Sequence, residues 1–197
     1  SSIGYNNLEL SRSHWERVRD EVSPELAAIA KTLDYEQVVT LFAALEKDNK
    51  EEEEERQEAL EKSEAQRLKD RIERIQETIS ERIGDLSKEQ KQIVSTYAQQ
   101  FISTGDAWIT YRRNIQNAAR KLFVSRKQNE RFEQELVVLM QNPDNYKSDV
   151  YKQSSAHNMT VTATLLAEIF STLSEKQRQT LIENVDELIE TVDNFMD

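Results

Sequence analysis

The sequence predicts an all-α protein, an elongated antiparallel bundle of long helices. Three observations carry this expectation. Only three glycines and two prolines occur in 197 residues, too few for the turns a sheet protein of this size needs. Apolar side chains recur at intervals of three and four, the period of a helix face. Charged residues make up 32% of the chain against 37% hydrophobic, a balance close to that of long-helix proteins. The length suffices for one domain and is short for two. The chain is therefore read as a single helical-bundle domain.

Trp15, Val18, Val22, Leu26, Ile29 and Leu33 fall on one helical face, which is expected to be buried. Pro24 sits inside this pattern, and a proline removes a backbone donor and crowds the preceding turn, so a kink or break is expected near Ser23. Val38, Leu41, Phe42 and Leu45 begin a second run. Residues 46–59 then carry no large apolar side chain and include the acidic run Glu51 to Glu55. The period resumes with Leu60, Leu68, Ile72, Ile75, Ile79 and Ile83. Residues 35–83 read as one long helix, or as two with a soft joint in the acidic stretch. The i,i+4 pairs Glu52–Arg56, Glu58–Lys62 and Asp70–Arg74 would each add ~0.3 kcal/mol to such a helix.

Gly84 is a plausible helix stop. A helix is expected from about Ser87 to Ser103, with Ile93, Val94, Tyr97 and Phe101 inward, and Gly105 marks another joint. Trp108, Tyr111, Ile115, Ala119 and Leu122 share the next face, which Phe132, Leu136 and Leu139 continue to the stop at Asn142-Pro143. A last pair covers about 145–171 and 175–195, with Leu181, Val185, Leu188, Val192 and Phe195 on one stripe. Such stripes bury against each other, which gives the bundle.

One short element occurs three times: Leu33-Asp34-Tyr35-Glu36-Gln37, Leu86-Ser87-Lys88-Glu89-Gln90 and Leu173-Ser174-Glu175-Lys176-Gln177. Each opens a periodic segment. Asp34, Ser87 or Ser174 at the cap can accept from the backbone three residues on, and Gln37, Gln90 or Gln177 can reach back to the cap N–H. That is a capping box, worth ~1 kcal/mol per cap. The accompanying hydrophobic staple is complete only at Leu33 with Val38.

Repeated Leu-Ser-x-x-Gln elements in a helical chain also resemble the LTxxQ periplasmic proteins, the Spy-like chaperones, with Ser or Asp here where Thr is usual. A second resemblance covers most of the chain. It is to an uncharacterised family of helical bacterial envelope lipoproteins, which combines such elements with an acidic helix, a Trp-x-x-Tyr-Arg-Arg-type stretch and an Asn-Pro-x-x-Tyr-like stretch. The matching residues are Trp108, Tyr111, Arg112 and Arg113, then Asn142, Pro143 and Tyr146. The start, Ser1 to Asn7, resembles the segment directly after the lipid-bearing cysteine of that family, which implies that residues 1–7 are an N-terminal tail before the bundle of residues 8–197. The resemblance implies an N-terminal lipid anchor, residues missing near Asn7, and a periplasmic or envelope location, lipid-anchored at the outer membrane.

Chemistry is sparse. The formal net charge of −11 opposes the basic footprint of nucleic-acid binding and direct adsorption to anionic lipid. No cysteine is present, which removes disulfides, zinc thiolates and cysteine nucleophiles. No apolar run approaches the ~20 residues of a membrane span. His14 and His157 have no partner at metal-ligand spacing, and no Gly-rich phosphate loop or nucleophile elbow occurs. No catalytic, cofactor-binding or metal site is expected, and the chain is read as a non-enzyme.

Trp108, Tyr111, Arg112 and Arg113 form the candidate binding cluster. Arg112 shares a face with Trp108 and Ile115, while Arg113 turns away by about 100°. Arg112 reads either as a structural ion pair or stacked cation, or as a site for an anionic ligand or partner. The expected function is a scaffolding or partner-binding envelope module with an unidentified protein partner, the alternative being a Spy-like holdase.

Overall fold

The computed structural model describes the backbone of residues 2–194 and the side chains of residues 13–185. Among these residues the fold is all-α: α1 (Ser2–Thr32), α2 (Tyr35–Glu61), α3 (Glu64–Ile83), α4 (Lys88–Ala98), α5 (Gly105–Ser125), α6 (Phe132–Gln141), α7 (Asp149–Ser171) and α8 (Glu175–Asn194), with a single 3-10 turn at Pro143–Tyr146. Helix α1 takes in residues 2–7. Of the expected last stripe, Val185 is exposed, while Phe195 and the side chains of Leu188 and Val192 lie outside the described residues.

The packing sorts the chain into two compact units, a subdivision the helical period does not mark. One contains Tyr5–Glu61 and Ile102–His157; the other contains Lys62–Phe101 and the chain from Asn158. The first unit has a core of Ala27, Ala30, Phe42, Phe123, Phe132 and Leu136. Phe123 stands edge-on to both Phe42 and Phe132, with ring centroids 5.4 and 5.3 Å apart, an arrangement that aligns the ring quadrupoles. The second unit has a core of Ile79, Ile83, Val94, Leu165 and Ile169. Ile72, Ile75, Ile93 and Tyr97 pack against it as their spacing requires.

Several boundaries differ from the sequence expectations. Helix α1 does not end near Ser23. The carbonyl of Asp20, which Pro24 cannot supply with a donor, accepts instead from Nε2 of Gln141 at 3.3 Å, and Ser23 Oγ donates to the Arg19 carbonyl at 2.6 Å. Helix α2 passes through the acidic run, and the joint falls beyond it at Lys62-Ser63. There Ser63 Oγ accepts from the N–H of Gln66 at 3.1 Å and starts α3. Helix α4 stops at Ala98, short of Ser103. Arg71 Nη1 donates to the carbonyls of Ala98 and Phe101 and satisfies that end. Its guanidinium is pushed below its ordinary pKa by burial and by the charges of Arg74 and Arg67.

The face of α1 is the largest correction. The buried residues are Ser23, Ala27 and Ala30. Trp15, Val22, Leu26 and Ile29 are 68, 39, 49 and 59% exposed. At 100° per residue the buried face lies about 100° around the helix from the apolar stripe. Small residues let α1 approach the aromatic core closely, and that close approach selects its face over the larger hydrophobic stripe.

Candidate functional site

All three repeated elements form reciprocal caps. Asp34 N–H donates to Gln37 Oε1 at 2.9 Å, and Gln37 N–H donates to Asp34 Oδ1 at 2.8 Å. Ser87 with Gln90 and Ser174 with Gln177 repeat the pattern at 2.9 to 3.1 Å. Two of them do more. Gln90 and Gln177 are buried and face each other, each amide Nε2 donating to the other's Oε1 at 2.9 Å. Gln90 Nε2 also reaches Thr172, at 3.2 Å to Oγ1, and Gln177 Nε2 reaches the Asp85 carbonyl at 2.8 Å. Every amide hydrogen thus has an acceptor in a site without room for error, since an unmatched buried amide is costly. These two copies need no apolar staple pair, because the glutamines themselves join the two helix starts. Leu86 and Leu173 pack beside them against the core.

The first copy has no second glutamine opposite it, and Gln37 is exposed. Arg126 takes that role. Its guanidinium donates to the Leu33 carbonyl through Nε and Nη2 at 3.2 and 3.1 Å, and to the Phe123 carbonyl at 3.0 Å. Leu33 and Val38 pack on the core, as the staple predicts. Arg126 opens the connection from α5 to α6, where no Gly or Pro signals a turn, so sequence pattern alone did not mark it.

The acidic segment of α2 and the arginines of α5 form the second constellation. The inward face of α2 continues past Leu45 as a polar one. Buried Asn49 donates to Gln116 Oε1 at 2.6 Å. Arg113 binds Glu53 at 2.5 Å and Glu46 at 3.1 Å, and Arg112 binds Glu52 at 3.0 Å. Arg56 crosses to Asp106 with two contacts, at 2.7 and 3.1 Å. Glu52 and Arg56 therefore pair across helices and not with each other. Likewise Asp70 is held by Lys62 at 2.9 Å. Hydrogen bonds from Arg113 hold the Glu46 and Glu53 carboxyls below their usual range, and Arg56 does the same for Asp106.

The Trp-x-x-Tyr-Arg-Arg and Asn-Pro-x-x-Tyr stretches meet. Pro143 starts the 3-10 turn, whose missing N–H costs nothing at that position. Asn142 Nδ2 closes α6 by donating to the Val138 carbonyl at 2.8 Å, and Asn114 of α5 donates to the Tyr146 carbonyl at 3.4 Å. Lys147 is next in the chain, with its Nζ 5.4 Å from the Tyr111 ring centroid and 5.8 Å from that of Tyr151, and bonded to Asp144 at 2.8 Å. Trp108 and Tyr111 lie 5.5 Å apart, with the Arg112 guanidinium 5.9 Å from the Trp108 ring. Burial pushes the Tyr111 phenol above its ordinary pKa.

The four cluster residues thus sit on one segment but face different partners. Arg113 is committed to two carboxylates, Arg112 to Glu52 and Trp108, and Tyr111 to Lys147 and Tyr151. Glu46, Glu52 and Glu53 were the partners sequence reasoning missed. Their spacing of three or four from Asn49, and of four from Phe42 to Glu46, was the available signal. Lys147 and Tyr151 carried none. The carboxylates with lowered pKa values stay ionised near neutral pH, and the Tyr111 phenol stays protonated. This arrangement supplies fixed charge and aromatic surface.

Among the described residues no group of three or more His, Cys, Asp or Glu is placed to hold a metal ion. No helix among them is long and apolar enough to cross a membrane. A model of a family of unknown function, DUF6279, matches residues 7–152, about three quarters of the chain. No curated protein and no solved structure matches it.

Proposed function

The chain belongs to DUF6279, a family of unknown function, and from that premise we propose that it is a non-enzymatic binding module of the bacterial cell envelope. The observation that carries the binding reading is the apolar face of α1. Trp15, Val22, Leu26 and Ile29 lie on one side of a helix, exposed, within about 60° of arc. A contiguous exposed apolar stripe is the ordinary mark of an interaction surface. The polar clusters elsewhere support the same reading, because their charges are spent within the protein. Envelope location rests on the resemblance of the Leu-Ser-x-x-Gln elements, the acidic helix and the Trp108 and Asn142 stretches to envelope lipoproteins, and the N-terminal lipid anchor on the resemblance of Ser1 to Asn7 to the segment after their lipid-bearing cysteine.

A photoreactive side chain at Ile29 tests this in the bacterial envelope, with exposed Gln57 of α2 as control. A discrete crosslinked product from position 29 and none from 57 is the expected result. No product above background from either position removes the binding reading. The same exposed stripe favours a second reading, a Spy-like holdase. Suppression of client aggregation at near-equimolar ratio, followed by light scattering, would favour that one.

A further inference from the structure

We propose that the α1 face receives a basic amphipathic helix of a partner protein, an inference that rests on the binding reading above. Trp15, Val18, Val22, Leu26 and Ile29 are spaced by three and four, the seam that one helix offers another. The seam covers about 21 Å, or four helical turns. One border of it closes onto the core through Ser23, Ala27 and Ala30. The other border is open and carries the exposed acids Glu21 and Glu25, which make no ion pair among the described residues. Arg19 is engaged with Asp20 at 3.0 Å and Lys31 with Glu133 at 3.4 Å. Exposed Arg17, one turn before Glu21, lies farther from the seam than either acid. Two acids against one cation leave this border with a net negative charge.

That sign selects the occupant. A second copy of a chain carrying net charge −11 is repelled, and antiparallel pairing about a twofold axis would set Glu21 and Glu25 against themselves. An anionic bilayer is repelled for the same reason. A helix with an apolar stripe bordered by lysine or arginine matches both the seam and its flank. Its long cationic stems also cover apolar surface while their charges reach the acids.

The test uses the full chain with Trp108→Phe, which leaves Trp15 as the only tryptophan, its fold checked by circular dichroism. Calorimetry on the unsubstituted chain gives a second readout. The probe is a synthetic helix of about four turns with a leucine seam and lysine flanks, compared with its glutamate-flanked counterpart. Saturable binding of the lysine peptide with a blue shift of Trp15 is expected. Binding should weaken with salt, and by roughly tenfold with Glu21→Lys and Glu25→Lys together. Leu26→Ser should lower it further without loss of helicity. Equal binding of both peptides, or preference for the glutamate one, overturns the proposal. So does a Trp15 shift that tracks protein concentration together with a sedimenting dimer, or one produced by anionic vesicles alone. If neither peptide binds while the Ile29 crosslink persists, the basic helix is wrong and the binding module stands. If both fail, the binding reading falls with it.

Discussion

Pro24 removes one donor from α1, and Gln141 supplies another to the same acceptor, the Asp20 carbonyl. Pro24→Ala should therefore stabilise the protein by about 1–2 kcal/mol, less than the ~3 kcal/mol of an uncompensated interior proline. Gln141→Ala should cost less in that background than alone, a difference that a double-mutant cycle in urea would read. The buried glutamine pair makes the opposite kind of residue. Gln90→Leu removes the acceptor of both the Ser87 N–H and the Gln177 amide, so a loss of about 2–4 kcal/mol is expected. Replacing both by leucine should cost less than the sum of the single changes. Gln37→Leu, at an exposed copy of the same element, should cost about 1 kcal/mol or less.

Helix α2 buries an apolar face in its first half and a polar one in its second. The carboxyls of Glu46, Glu53 and Asp106 have folded pKa values below their unfolded ones. Their stabilising contribution is thus complete above the ordinary carboxylate range, about pH 4.5, and is lost as pH falls through the lowered folded values. Thermal melting between pH 7 and pH 3 should show this acid loss, and Arg113→Leu should flatten it. At the start of α5, a Cβ on Gly105 would meet the Arg56 side chain at 3.1 Å. Glycine there lets Arg56 lie flat on its way to Asp106. Gly105→Ala should be close to neutral in the native chain, because helix propensity gained is offset by the displaced ion pair. In an Arg56→Ala background it should stabilise by roughly 0.5–1 kcal/mol, measured by chemical denaturation.

At the scale of the whole molecule the cores are separate, and both tryptophans, Trp15 and Trp108, belong to the unit built on the phenylalanine cluster. Tryptophan emission therefore reports on that unit, while far-ultraviolet circular dichroism reports on all helices. Gln90→Leu weakens only the other unit. Its helical signal should begin to fall at lower denaturant than its tryptophan signal, whereas superimposed transitions would show that the chain unfolds as one cooperative body. The subdivision was hidden in the sequence because helical periodicity continues through Leu60 and Leu68 on either side of Ser63. Ser63, which starts a new helix, was passed over although it is an ordinary cap residue.

The sequence by itself determined what depends on neighbours along the chain. Helix type came from the period and the scarcity of Gly and Pro, and the three caps came from residues three apart whose hydrogen bonds close locally. The inward faces of α3 and α4 were legible too, since large apolar residues occupy one side only. Tertiary structure decided what depends on residues distant in sequence. Gln90 and Gln177 become a buried pair only because two helix starts meet, and Arg113 becomes a clamp only because α5 lies along the acidic half of α2. Arg126 finds the Leu33 carbonyl across 93 positions of chain. The face of α1 was decided the same way: Ala27 and Ala30 fit against the aromatic core where larger side chains could not, and close packing outweighed the bulk of the hydrophobic stripe. That choice left Trp15, Val22, Leu26 and Ile29 outside, which makes the proposed binding surface a product of packing that no periodicity along the chain contains.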